Sequence, residues 1–122
     1  MAQVGVVYTL DVTHYAETRG IMEGSPEGTR SRIVFVTSGD AERGRALLAK
    51  MRFDAIFIDG CHTYEAVVRD IAFAANLSDA LIFHDYDERH AANVVRAVDE
   101  FAASCPLAYA SQTSCLAFCR VR

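Results

Sequence analysis

The stretch FDAIFIDGCHTYEAVVRD, residues 53–70, decides how the chain is read. Apart from Asp54, residues 53–58 are apolar, and the run stops abruptly at Asp59. A short apolar run bounded by turn residues predicts a buried strand over 53–59. Gly60 lets the backbone turn sharply there. TYEAVVRDIAFAANL then places Ala66, Val67, Ile71 and Ala74 or Ala75 on one helical stripe. The stretch is therefore a strand, a turn carrying Cys61 and His62, and a helix opening with Tyr64 and Glu65.

The same unit recurs on both sides. VGVVYTL (4–10) is a β-branched strand that stops at Asp11, and THYAETRGIMEG predicts a helix from a Thr cap to a closing glycine. After the loop SPEGTRS comes the strand IVFVTS (33–38), the turn Gly39–Asp40, and a helix with Gly44, Leu47, Leu48 and Met51 at helical spacing. ALIFHD (80–85) is a fourth strand. The helix from about Arg89 to Ala103 shows Val94, Val95, Val98, Phe101 and Ala102 on one face. LAYASQ and CLAFCRV, separated by Thr113 and Ser114, predict an antiparallel hairpin, because so short a link cannot cross over. Four βα units and a hairpin predict an α/β fold. The expected architecture is a Rossmann-like three-layer α/β/α sandwich, with a mostly parallel sheet, helices on both faces and a C-terminal antiparallel hairpin, in a single domain over 1–122.

Bulk properties narrow the function. A net charge of -4 argues against nucleic acid or an acidic membrane surface as a partner, since phosphate binding wants a basic face. No apolar run reaches the roughly 18 residues of a membrane span, and MAQVGVVYTLD lacks the basic-then-apolar pattern of a signal peptide. Cys61, Cys105, Cys115 and Cys119 form no C-x-x-C pair, so they read as free thiols of a reducing, cytoplasmic compartment. Cys115 and Cys119 are expected on one face of a strand as small buried hydrophobes. The expected partner is a small-molecule substrate.

In parallel sheets, ligands bind beyond the carboxyl ends of the strands, so the strand ends carry the chemistry. Asp11 can accept the two hydroxyls of a ribose or cap the following helix. Asp40 can face an adenine amino group or cap the helix from Ala41. Asp59 and Asp85 end neighbouring strands, and such carboxylates repel unless a cation, a proton or a basic partner lies between them. A hard divalent ion such as Mg²⁺ answers that need; so does a pair of helix caps without any ion. His62, at the mouth of the same cleft, has the natural pKa of a general base and is equally a common surface residue. Glu65 suits the helix dipole without further role, and His14 and His90 read as solvated.

FDAIFIDGCHTYEAVVRDI, LIFHDYD and VVRAVDEFAA together resemble the class I S-adenosylmethionine-dependent methyltransferases. The branch is the one written F-D-x-I-F-I-D-G-D-H-x-Y-E with a later F-H-D-Y, related to sugar O-methyltransferases of antibiotic and cell-surface glycan pathways. The resemblance runs from VYTLD to LAFCRV. It implies a seven-stranded sheet with the last strand antiparallel, and S-adenosylmethionine as cofactor. Asp11 matches the ribose-binding acid and Asp40 the acid near the adenine, with Asp59 counted beside them on the cofactor side. Asp59, His84 and Asp85 occupy the positions that hold a divalent cation in metal-dependent relatives. Cys61 stands where some relatives place an aspartate suggested as base, which makes His62 the candidate catalytic base.

Two departures accompany the match. The family begins with a strand ending in a glycine-rich loop (E-x-G-x-x-x-G), whereas this chain starts at what matches the second strand, with Gly5 alone inside it. LSD (77–79) replaces the P-G-G turn before the strand at 80. The expectation is a domain truncated at its N-terminus relative to the family, lacking the first strand and binding the donor weakly. Three functions follow: an O-methyltransferase acting on a small-molecule or sugar hydroxyl; a non-catalytic remnant that binds or self-associates, as a homo-oligomer, to bury exposed sheet; and, further off, a metal-dependent hydrolase using Asp59, His62, His84 and Asp85.

Overall fold

A computed structural model describes residues 5–11, 16–30, 33–37 and 41–121. The chain is mixed α/β and divides into two compact units, Met1–Ala49 and Lys50–Arg122. In the first, β1 (Val7–Asp11) pairs in parallel with β2 (Ile33–Thr37), in register from Val7↔Ile33 to Asp11↔Thr37. Parallel neighbours need a long connection, and α1 (Ala16–Gly24) and α2 (Glu27–Arg30) lie within it. α3 (Ala41–Leu48) follows; it buries Gly44 and Leu48 but leaves Leu47 59% exposed, so the expected stripe is narrower than its spacing implied.

The second unit is a four-stranded sheet in the order β3-β4-β6-β5. β3 (Ile56–Ile58) and β4 (Ala80–Phe83) are parallel and joined through α4 (Tyr64–Ala75), the right kind of crossover for parallel strands. After α5 (Ala92–Ala102), β5 (Leu107–Ser111) and β6 (Leu116–Arg120) form the expected hairpin, whose second strand lies antiparallel against β4. The sheet thus holds one parallel and two antiparallel pairings, where a mostly parallel sheet was expected. The reason is local: half of its strands come from the hairpin, and β1 and β2 pair in a sheet of their own. β3 is also shorter than the predicted strand, Phe53 making only an isolated bridge to Ser78.

Burial alternates along the strands, as a sheet with one covered face requires. Leu81 and Phe83 of β4 and Ala117 and Cys119 of β6 point into the core. They form one cluster with Val67, Ile71 and Ala74 of α4 and Val94, Ala97 and Val98 of α5. The α4 residues fall at i, i+4 and i+7, one helical face. Phe83 meets Phe101 edge-on, ring centroids 6.4 Å apart. Both helices pack on this face. On the other face, Phe57, Ile82, Phe118 and Tyr109 are successive cross-strand partners in a row whose ends are half exposed, Phe57 at 54% and Tyr109 at 52%.

α4 starts at Thr63, whose Oγ1 accepts from the amide of Ala66 at 3.4 Å, satisfying one of the helix's free donors. Thr63→Ala is expected to cost about 1 kcal/mol, read as a lower urea midpoint at unchanged slope. All four cysteines are free thiols. Cys105 and Cys119 are buried, and burial, reinforced by a hydrogen bond with Cys105, pushes the Cys119 thiol up to about 12. No described helix is long and apolar enough to cross a membrane.

Candidate functional site

The parallel pair β3–β4 brings two strand ends side by side. The amide of His84 donates to Ile58 O at 3.0 Å, extending the pairing one residue past β4 and setting Asp59 beside His84 and Asp85. Asp85 then turns with φ 57, in the left-handed region that costs an L-residue of order 1–2 kcal/mol but that Asp tolerates better than most. Strain of this kind concentrates where a side chain must be aimed.

Asp85 is aimed at two imidazoles. Its Oδ2 lies 2.8 Å from His62 Nε2 and 3.1 Å from His84 Nδ1. His84 Nδ1 also lies 3.4 Å from Asp59 Oδ1. That nitrogen is shielded from solvent and, although flanked by two carboxylates, makes no well-angled hydrogen bond. The His84 ring leans on Phe57, centroids 5.8 Å apart. The Asp85 contact raises the His84 pKa above the ordinary histidine value, against the opposing effect of partial burial, and the charge of Asp59 adds to it. For Asp85 itself, partial burial works against ionisation, but the contacts and charges of His84 and His62 outweigh it and hold its carboxyl below the usual range.

Gly60 and the residues after it close the cleft. A Cβ on Gly60 would stand 3.0 Å from Asp70 Oδ2, so the loop lies against the α4 carboxylate as only glycine allows without displacing it. Asp59, Cys61, His62, Asp70, His84 and Asp85 line a pocket of about 10 Å³, room for one water or one ion. Cys61 is exposed, its Sγ 3.7 Å from Thr63 Oγ1; hydrogen bonds from the backbone and then the side chain of Thr63 lower its thiol pKa. Tyr64 turns away from the cleft: its hydroxyl bonds Glu100 on α5, and the Arg96 guanidinium lies 4.2 Å over its ring.

The structure brings together four of the residues picked from the sequence, Asp59, His62, His84 and Asp85. One atom each of Asp59, His62 and Asp85 falls within 4.8 Å of the others, and His84 Nδ1 lies against the same two carboxylates, so His62 joins the expected His84 there. Asp11 ends β1, paired in register with Thr37, in the first unit. Asp40 and His14 lie outside the described residues. His90, expected to be solvated, is exposed but bonded through Nδ1 to Asp87 Oδ2 at 2.5 Å, which raises its pKa. Asp70 escaped the sequence reading because mid-helix acids normally face solvent; the signal that could have found it is Gly60, which announces a close approach. No family model, no curated protein and no solved structure matches the chain.

Proposed function

We propose that the chain is an S-adenosylmethionine-dependent methyltransferase-like domain of the O-methyltransferase type, acting on a small-molecule or sugar hydroxyl, with the Rossmann-like architecture that this class implies. The observation that carries the reading is the His62–Asp85 pair at 2.8 Å, set at the ends of two parallel strands. Methyl transfer is a direct displacement, so the protein's work is alignment and removal of one proton. With Nε2 donating to Asp85, His62 keeps Nδ1 as the lone-pair nitrogen facing the acceptor hydroxyl, and Asp85 stabilises the imidazolium that forms. S-adenosylmethionine supplies the electrophilic methyl group when bound; the resemblance assigns Asp11 to its ribose, Asp40 to its adenine and Asp59 to the same cofactor. Two carboxylates and an imidazole suit a divalent cation, and Asp59, His84 and Asp85 would hold it, leaving His62 as the base and adding positive charge near the acceptor oxygen.

Isothermal calorimetry with S-adenosylhomocysteine tests the donor side. A saturable heat is expected; none at millimolar ligand defeats the catalytic reading. A second reading, a non-catalytic module of the same ancestry that works by binding or self-association, has its own support. The pocket has room for one water or one ion, and the row from Phe57 to Tyr109 leaves apolar sheet surface open. Under that reading the calorimetry is silent and sedimentation shows a concentration-dependent dimer or larger species.

A further inference from the structure

The two non-glycine residues with positive φ among those described are Asp85 (φ 57) and Cys115 (φ 55), and the loops that carry them meet. Cys115 lies in the tight turn between β5 and β6, and its carbonyl accepts the amide of Tyr86, the residue after Asp85, at 3.0 Å. Three residues earlier in the same turn, Gln112 Oε1 accepts the amide of Glu88 at 2.8 Å although its side chain stands at the surface. The Cys115 thiol completes the contact, 3.5 Å from Gln112 O and 4.0 Å from Asp87 Oδ2. From the other side Asp99 on α5 takes the Tyr86 hydroxyl at 2.7 Å. A further bond from the Asp87 amide to Asp85 O at 2.7 Å tightens the loop on itself.

We infer that the β5–β6 turn is a clasp that holds Asp85 in its left-handed conformation, and that Gln112 is a positioning residue for the candidate site it never touches. An isolated segment would relax from a left-handed residue, so something must over-determine it. Here the amides one and three residues beyond Asp85 are pinned by acceptors of a single turn. The turn sits at the tip of a hairpin whose second strand pairs with β4, the strand that Asp85 follows by two residues. The clasp and the site are thus fixed to the same strand pair. The inference deepens the reading of Asp85 as a site residue but requires neither a methyl donor nor a metal.

The test is amide hydrogen exchange on the full chain, with the imidazole resonances of His62 and His84 recorded at one fixed pH. Gln112→Ala is expected to speed exchange of the Glu88 and Tyr86 amides about tenfold, the loss of one net hydrogen bond, and to move both imidazole resonances as Asp85 leaves them. Gln112→Glu retains the acceptor and should restore both. Cys115→Gly keeps the carbonyl and removes the left-handed penalty, so it should leave the imidazole resonances in place. Faster exchange with unmoved imidazoles would overturn the inference, because the turn would then hold the loop without positioning Asp85. Unchanged exchange would overturn it too. Calorimetry with S-adenosylhomocysteine on the same variants reports on the methyltransferase reading alone, so the two can fail separately.

Discussion

Asp85→Asn is expected to disable the site while leaving the fold intact. Asparagine tolerates the left-handed backbone as aspartate does, so the turn at φ 57 survives and the melting temperature should move little. What disappears is the negative oxygen shared by His62 Nε2 and His84 Nδ1. On the proposed methyltransferase reading, the base then loses its orienting partner, and methyl transfer should fall by about 10²–10⁴-fold, the usual worth of a positioned acid–base group. A pH series of unfolding free energies gives a second readout. His84 is raised in the folded state, so its contribution is complete below the ordinary histidine value of about 6.5 and is lost as pH rises through the raised value. Asp85 is lowered, so its contribution is present above the ordinary carboxylate range and is lost as pH falls through the lowered value. The wild-type curve should therefore show a plateau between those limits, and the asparagine variant should flatten both shoulders. An unchanged pH profile would mean that the three side chains are neighbours without being coupled.

Phe83→Ala carries the largest expected cost in stability. Phe83 is 1% exposed, lies edge-on to Phe101 and belongs to the cluster shared by α4, α5, β4 and β6. Removing a buried ring forfeits its transfer free energy and leaves a cavity, about 3–5 kcal/mol in all. Against a total of about 5–15 kcal/mol for a domain, that is enough to unfold a marginal one. Phe83→Leu keeps most of the volume and should cost about 1.5 kcal/mol or less. Urea titration monitored by circular dichroism separates the two. Because Phe83 immediately precedes His84 and Asp85, the alanine variant should also blur the site before the unit melts, seen as broadened imidazole resonances under native conditions. A loss below about 1 kcal/mol for Phe83→Ala would place the core elsewhere.

The second unit was largely legible in the sequence because its signals are periodic. Val67, Ile71 and Ala74 on α4, and Val94, Val95 and Val98 on α5, were read from helical spacing and are buried. The hairpin was legible from the short Thr113–Ser114 link, which leaves no room for any other connection. The gathering of Asp59, His62, His84 and Asp85 followed from one rule, that adjacent parallel strands place their carboxyl ends together. What was not legible depends on tertiary context. Leu47 has the spacing of a core residue and is exposed; β3 is three residues long although the apolar run is twice that. Strand pairing is decided by partners, not by propensity, so a single continuous sheet could not be told from the two sheets observed. That His62 converges on Asp59 and Asp85 alongside His84 depends on side-chain direction, and the left-handed turn at Asp85 leaves no mark in the sequence, since aspartate is at home in either conformation.

The alternation of small and large residues along β6 has a consequence for the spacing of reactive atoms. Ala117 and Cys119 face the helices, while Leu116 and Phe118 face away. A slip of β6 by one residue against β4 would drive Phe118 under α4 and α5, into space sized for a methyl group and a thiol. β4 is thus locked against sliding by β6 on one side and by its parallel match to β3 on the other. Since Asp59 follows β3 and Asp85 follows β4, the parallel match of those two strands is also a ruler: it fixes how far apart the two carboxylates can stand, while the bulk of Phe118 keeps β6 in step with β4.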